Sequence, residues 1–310
     1  MAIITSPVLN AIRTGFRKNF EDGKTRGMPM YNAVATIVPS STKSNTYGWL
    51  GQWPGFREWI GERQLKSIKE HGYTITNKDF ESSVAVDRND IEDDNLGVYS
   101  PMMDEMGYAA SVFPDELVFP LLGAGFTSTC YDGQYFFDTD HPVNAEADGS
   151  GADTSFSNAI IDAGYTGDAW YLLDTSRSLK PLIFQDRKGM QFQAMDNPSD
   201  EQVFMNKVFR YGVDCRCNVG YGFWQMAIGV KKELTSETLW EAINMFRSFK
   251  ADGGRSLGLG KNKLTLVVPS SLHELATKIN EREQIDDGGV TVSNELKGKF
   301  TVLNPDYLQA

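Results

Sequence analysis

The chain has 310 residues, 41% of them hydrophobic and 23% charged, ordinary proportions for a soluble globular protein of one or two domains. Thirty Lys and Arg against 41 Asp and Glu leave a formal net charge of −11, which argues against a surface built to grip nucleic-acid phosphates. Three cysteines and three histidines suit neither a disulfide framework nor His-rich metal chemistry, and no continuous apolar run approaches the about 18 residues of a membrane span.

Ser6-Pro7 offers a cap followed by proline in a first turn, and Leu9, Ile12, Phe16 and Phe20 then recur at helical spacing, so a short amphipathic helix is expected to end near Gly23. Its stripe fits two destinations, the chain's own core or a neighbouring subunit. Residues 26–54 hold three prolines and no sustained period, and read as an extended arm. Trp49, Trp53 and Trp59 fall within eleven residues, a concentration of amphipathic rings that suits a docking surface or a local core. A short helix over 62–70 precedes two alternating runs around Tyr73, Ile75, Val84 and Val86, with the bend Asn77-Lys78-Asp79 between them. These predict a projecting hairpin. The acidic stretch that follows (Asp87, Asp90, Glu92, Asp93, Asp94) fails the calcium-loop spacing and reads as a solvated loop or as partners for a neighbour's basic groups.

Ser100-Pro101 opens the longest helical pattern, with Met102, Met103, Met106, Ala109, Ala110 and Phe113 on one face, an expected kink at Pro114, and Leu117, Val118, Leu121 and Leu122 continuing the face. Residues 144–157 are small and polar and predict a flexible loop. From Trp170 to Val230, short apolar runs and the alternation of Val213, Cys215, Cys217 and Val219 predict one meander of strands. The last quarter returns to a helical period at Leu239, Ala242, Ile243 and Phe246, followed by a strand from Leu264, a helix after Ser270 and a closing strand Phe300–Leu303. The fold class is therefore α+β: an arm, a hairpin, a long helix against a sheet, and a smaller mixed terminal module.

A search for chemistry returns little. Cys215 and Cys217 share a strand face, where cysteine behaves as a small hydrophobe. Asp138, Asp140 and His141 could hold a divalent ion and support a metal-dependent enzyme, but Pro142 pushes His141 into extended backbone, and a turn held by Asp side chains is the competing reading. No phosphate loop or nucleophile elbow is present. No catalytic residue, resident metal or cofactor is assigned, and a structural protein that assembles is favoured over an enzyme.

Several stretches together resemble the major head subunit of Mu-like bacteriophages and prophages: Trp49-Leu-Gly with Arg57-Glu-Trp59, His71-Gly-Tyr-Thr-Ile-Thr-Asn-Lys-Asp-Phe-Glu81, Val86-Asp-Arg-Asn-Asp-Ile-Glu-Asp-Asp94, Pro114-Asp-Glu-Leu-Val118, and Cys130-Tyr-Asp-Gly-Gln-Tyr-Phe-Phe-Asp-Thr-Asp-His-Pro-Val143. They continue through Trp170-Tyr-Leu-Leu-Asp174, Lys180-Pro-Leu-Ile-Phe-Gln185, Tyr211-Gly-Val-Asp214, Gly220-Tyr-Gly-Phe-Trp-Gln225 and Leu264-Thr-Leu-Val-Val-Pro269. The resemblance implies the Hong Kong 97 capsid fold, with an N-terminal arm at 1–56, an extended loop at 57–97, a peripheral domain at 98–233 carrying a spine helix at 100–122, and an axial domain at 234–310.

It also implies hexamers and pentamers of an icosahedral head made in the host bacterial cytoplasm. That head would enclose double-stranded DNA without sequence-specific contacts, with a separate scaffolding protein, a portal and a decoration protein as further partners and no membrane. A nanocompartment shell is the neighbouring alternative. The residues expected to touch other subunits are Leu9, Ile12, Phe16, Trp49, Trp53, Trp59, Tyr73, Ile75, Asp90, Glu92 and Asp93.

Overall fold

A computed structural model describes residues 5–51, 53, 72–93, 96–146, 150–287 and 290–308. The helix expected at 62–70 and Trp59 lie outside these residues. The described chain builds two hydrophobic cores on two sheets.

The first sheet is organised by a long antiparallel pair, Leu182–Met195 with Val208–Tyr221. Alternation in the second strand turns Phe209, Tyr211, Val213, Cys215 and Cys217 to one face. Lys78–Asp87 joins one edge antiparallel, from Asp87 opposite Val208 to Lys78 opposite Cys217. Ala35–Pro39 joins the other edge in parallel with Leu182–Asp186.

Two helices cover the inner face. The first, Ser6–Arg26, has Pro7 in its opening turn and runs one turn past the expected stop at Gly23. The second, Ser100–Gly123, spans about 36 Å at 1.5 Å per residue and continues through Pro114 and Pro120. Over an 18-residue window this helix is long and apolar enough to cross a membrane, but Met103, Met106, Ala110, Val118 and Leu122 are packed inside the protein.

The second sheet has five strands in the order Phe300–Leu303, Leu264–Val267, Trp170–Leu173, Ala227–Lys231, Ala159–Ile161. Every residue of Trp170–Leu173 and Leu264–Val267 is buried, as suits strands covered on both faces. Helices Ser236–Ser248 and Ser270–Glu281 supply Leu239, Ala242, Ile243, Phe246, Ala276 and Ile279 to the same core. The first of these starts on a reciprocal cap between Thr235 and Thr238.

Three expectations change here. The predicted hairpin does not pair with itself: Thr74–Thr76 pairs with Ser44–Thr46, and Lys78–Asp87 pairs with Val208–Tyr221. The single meander from 170 to 230 divides, its long strands forming the first sheet and Trp170–Leu173 and Ala227–Lys231 entering the second. A boundary between 233 and 234 therefore separates strand Ala227–Lys231 from helix Ser236–Ser248, which share one core. The loop expected at 144–157 is partly strand, since Asp153–Phe156 pairs with His141–Asn144.

Candidate functional site

For a chain without an evident reaction centre, the candidate site is the surface left over once the cores are closed. The first helix contributes little apolar surface to it. Leu9, Ile12 and Phe16 are 2, 8 and 3% exposed, and Phe16 meets Tyr211 edge-on at 5.0 Å between ring centroids. Of the two destinations open to this stripe, the structure shows the chain's own core. Two close contacts hold the helix down. Gly23 and Gly107 allow backbone to approach backbone where the helices cross, and Arg13 donates through Nε to Asp196 at 2.9 Å, with a second bond from Nη2. Asp196 is 2% exposed. Its pairing with Arg13 raises the guanidinium above its ordinary value, the hydrogen bond outweighing the cost of burial.

Past the helix, Asp115 accepts hydrogen bonds from the backbone N–H groups of Met30 (2.9 and 3.1 Å) and Tyr31 (2.7 Å), capping the one-turn helix Tyr31–Val34 from a distant part of the chain. Burial, opposed by those two bonds, leaves its carboxyl above the usual range.

The aromatic cluster sits deeper. Trp53 is 8% exposed, 4.3 Å from the Phe223 ring and beneath the Arg177 guanidinium at 5.0 Å. Trp49 also touches Phe223, at 5.7 Å, but stays 38% exposed. Tyr73 accepts from the Tyr221 N–H at 2.8 Å, and Ile75 is buried over Gly220, so both face their own chain. In the acidic segment, Asp90 accepts from the Tyr99 hydroxyl, Glu92 pairs with Arg88 at 2.9 Å and Asp93 is exposed. Of the described residues named for intersubunit contact, Trp49 and Asp93 are the exposed ones.

Sequence reasoning missed a pair of exposed, adjacent apolar side chains. At the far end of the long strand pair, helix Glu201–Asn206 buries Val203 and leaves Phe204 83% and Met205 68% exposed, with Met195 at 49% nearby. The signal was present as an apolar pair inside a polar, acidic stretch, but helical spacing alone does not say which side faces inward.

Asp138, Asp140 and His141, weighed in the sequence as an ion site against a turn held by Asp side chains, do not converge. Asp138 accepts from the backbone N–H of Tyr135, and Asp140 is exposed. His141 is fully buried and turns to Asp132 and Asn158, with ring-nitrogen distances of 2.7 and 3.1 Å. Extended backbone before Pro142 directs the ring inward, away from the two carboxylates that neighbour it in sequence. Cys215 and Cys217 are buried free thiols on the strand's inner face.

Residues 9–308 match the family described as Mu-like prophage major head subunit gpT. The chain is 52% identical to the Mu-like prophage FluMu major head subunit of Haemophilus influenzae, over 99% of this chain and 100% of that protein. It is 47% identical to the major capsid protein of Escherichia phage Mu, again over 99% and 100%. Among solved structures it superposes on the procapsid of bacteriophage JBD30 with a TM-score of 0.84 and 51% identity, covering 97% of this chain and 99% of that one. On the JBD30 capsid the TM-score is 0.76 at 36% identity, covering 99% and 100%. The α+β architecture is that of a phage major capsid protein of the Hong Kong 97 type. With nearly its whole length matched, the chain belongs to the Mu-like major head subunit family.

Proposed function

We propose that this chain is a major capsid protein whose copies close into the icosahedral shell of a phage head, and that its work is assembly rather than catalysis. The observation that carries this reading is near-full-length identity of about half to two head proteins. Ring and shell contacts need two different complementary surfaces per copy. On this chain the candidates are the Phe204–Met205 tip, Trp49, and the acidic stretch Asp90, Glu92 and Asp93. Each copy contributes to a shared wall, in which obligate interfaces bury thousands of Å².

Hexamers and pentamers are the capsomers this shell would use. The −11 charge suits a wall that does not adhere to packaged double-stranded DNA. A related capsid is decorated with minor capsid protein trimers, which favours a decoration partner here as well. Scaffolding and portal proteins complete the assembly in this reading. Family membership displaces the nanocompartment shell, and an enzyme built on Asp138, Asp140 and His141 has no assembled site.

The test is negative-stain microscopy and sedimentation of the purified chain across a range of concentrations. Rings or closed particles are expected. A monomer that persists at the highest concentration, alone and with the head-assembly proteins of its own phage, overturns the reading.

A further inference from the structure

We propose that Cys130, Asp132 and His141 form a structural site for a zinc ion. The argument begins at Asn158, which is fully buried. Its amide nitrogen faces three carbonyl oxygens, those of Phe136 (2.8 Å), Trp224 (3.2 Å) and Ala227 (3.2 Å), and this fixes the amide orientation. The amide oxygen must then face His141 Nε2, at 3.1 Å, so Nε2 carries a hydrogen. On the other side of the ring, Nδ1 lies 2.7 Å from Asp132 Oδ2. A lone pair and a carboxylate oxygen do not meet at that distance unless a proton or a cation lies between them. The second carboxylate oxygen, Oδ1, is 3.0 Å from Cys130 Sγ.

The ligand atoms of these three residues all fall within 4.8 Å of one another. Sulfur, carboxylate oxygen and imidazole nitrogen are the donors zinc takes, and both Asp132 oxygens together would complete four. Thiolate and carboxylate cancel the dication, so the buried site becomes neutral. Two protons leave for solvent as the ion enters, one from the Cys130 thiol and one from His141 Nδ1. Burial and the adjacent carboxylate push the free thiol up, and a bound cation reverses that effect.

Asn158 is the outer partner that orients a metal-bound imidazole, and Trp224 stacks on the ring at 4.1 Å and 9°. Metal–ligand lengths of about 2.0–2.3 Å require Asp132 to draw back from both His141 Nδ1 and Cys130 Sγ as the ion enters. The ion would pin the 130–134 turn to strand His141–Asn144, across the segment that sends Phe136 and Phe137 into the main core.

The test is elemental analysis of the purified full chain after dialysis against zinc, with cobalt(II) as an optical probe. Retention of about one ion per chain is expected, with a thiolate-to-cobalt absorption that is lost in Cys130→Ala. Added zinc should also raise the melting temperature of the wild type. Should Cys130→Ala fail to fold, the wild-type metal content and cobalt spectrum decide alone. A chain that retains no metal and shows no such absorption overturns the proposal and leaves His141 holding a proton on each nitrogen. An absorption that survives in a folded Cys130→Ala also overturns it, by placing the ion on Cys215 and Cys217.

Discussion

Gly23 and Gly107 lie at one crossing of the first and the long helix, each directed at the backbone of the opposite helix. A Cβ on Gly107 would lie 2.0 Å from the Phe20 carbonyl oxygen, and one on Gly23 would lie 1.9 Å from that of Asp104. Neither oxygen can swing aside, because both belong to helical backbone. Gly107→Ala should therefore push the first helix off its seat at a cost of about 1–3 kcal/mol, the usual range for overpacking. Urea unfolding reads the loss. Faster tryptic cleavage at Lys18 and Lys24, with the sheets still intact, would locate it to this helix.

Arg13 and Asp196 join the same helix to the far end of the long strand pair, and their exposures differ: the Arg13 side chain is 46% exposed, the Asp196 side chain 1%. Solvent screening weakens the pair's own attraction, but removing Arg13 strands a buried carboxylate. Arg13→Ala should cost more than about 1 kcal/mol, and pairing it with Asp196→Asn should recover part of that. A double-mutant cycle in urea is expected to give a coupling above about 0.5 kcal/mol. Simple additivity would mean the pair is idle.

How far these contacts were legible in the sequence depends on their span. Helix content was readable, because Leu9, Ile12, Phe16 and Phe20 carry their period locally and end in the core. Strand existence was readable for the same reason at Thr74–Thr76 and Lys78–Asp87. Strand partners were not. Lys78–Asp87 bonds to residues about 130 positions away, and nothing between 77 and 87 distinguishes that partner from its neighbour in sequence. His141 shows the same limit: its extended backbone before Pro142 was legible, whereas its partners Asp132 and Asn158, nine and seventeen positions away, were not. The period of Leu9, Ile12, Phe16 and Phe20 reports their burial, whereas Met102 and Ala109, read onto the same kind of face, lie exposed, and a residue whose partner is distant reports nothing until the chain closes.

Asp115 gives a dependence on pH. Its folded-state carboxyl is raised by burial in spite of the bonds from Met30 and Tyr31, so the native chain binds this proton more tightly than the unfolded one. Stability from this group is therefore largest at low pH and declines as pH rises from the ordinary carboxylate range through the raised folded value. Asp115→Asn does not titrate and loses an acceptor, so it should be less stable than wild type at about pH 4 and closer to it at about pH 6. Denaturant midpoints for the two proteins at both pH values check the sign; a gap that widens with pH would contradict it.

Phe204 and Met205 yield the prediction closest to assembly. Both side chains stand outside the cores at 83% and 68% exposure, while Val203 on the same short helix is 3% exposed and holds it in place. The helix closes on Lys207, whose left-handed backbone (φ 55°) is the single positive φ outside glycine among the described residues, and the Lys207 N–H donates back to the Val203 carbonyl at 3.1 Å. The tip is thus a formed structure that presents apolar surface. Replacing both residues, Phe204→Ser with Met205→Ser, should leave the unassembled chain within about 0.5 kcal/mol of wild type, because both side chains are mostly exposed. If copies of the chain bury the tip, each loses about 2 kcal/mol of apolar burial at the phenylalanine alone. The concentration needed for particles to form should then rise about tenfold or more. Light scattering and sedimentation follow that threshold, and Val203→Ala separates the two effects by lowering the stability of the unassembled chain. Particles forming from the double variant at the wild-type threshold would show that the tip takes no part in the contacts between copies.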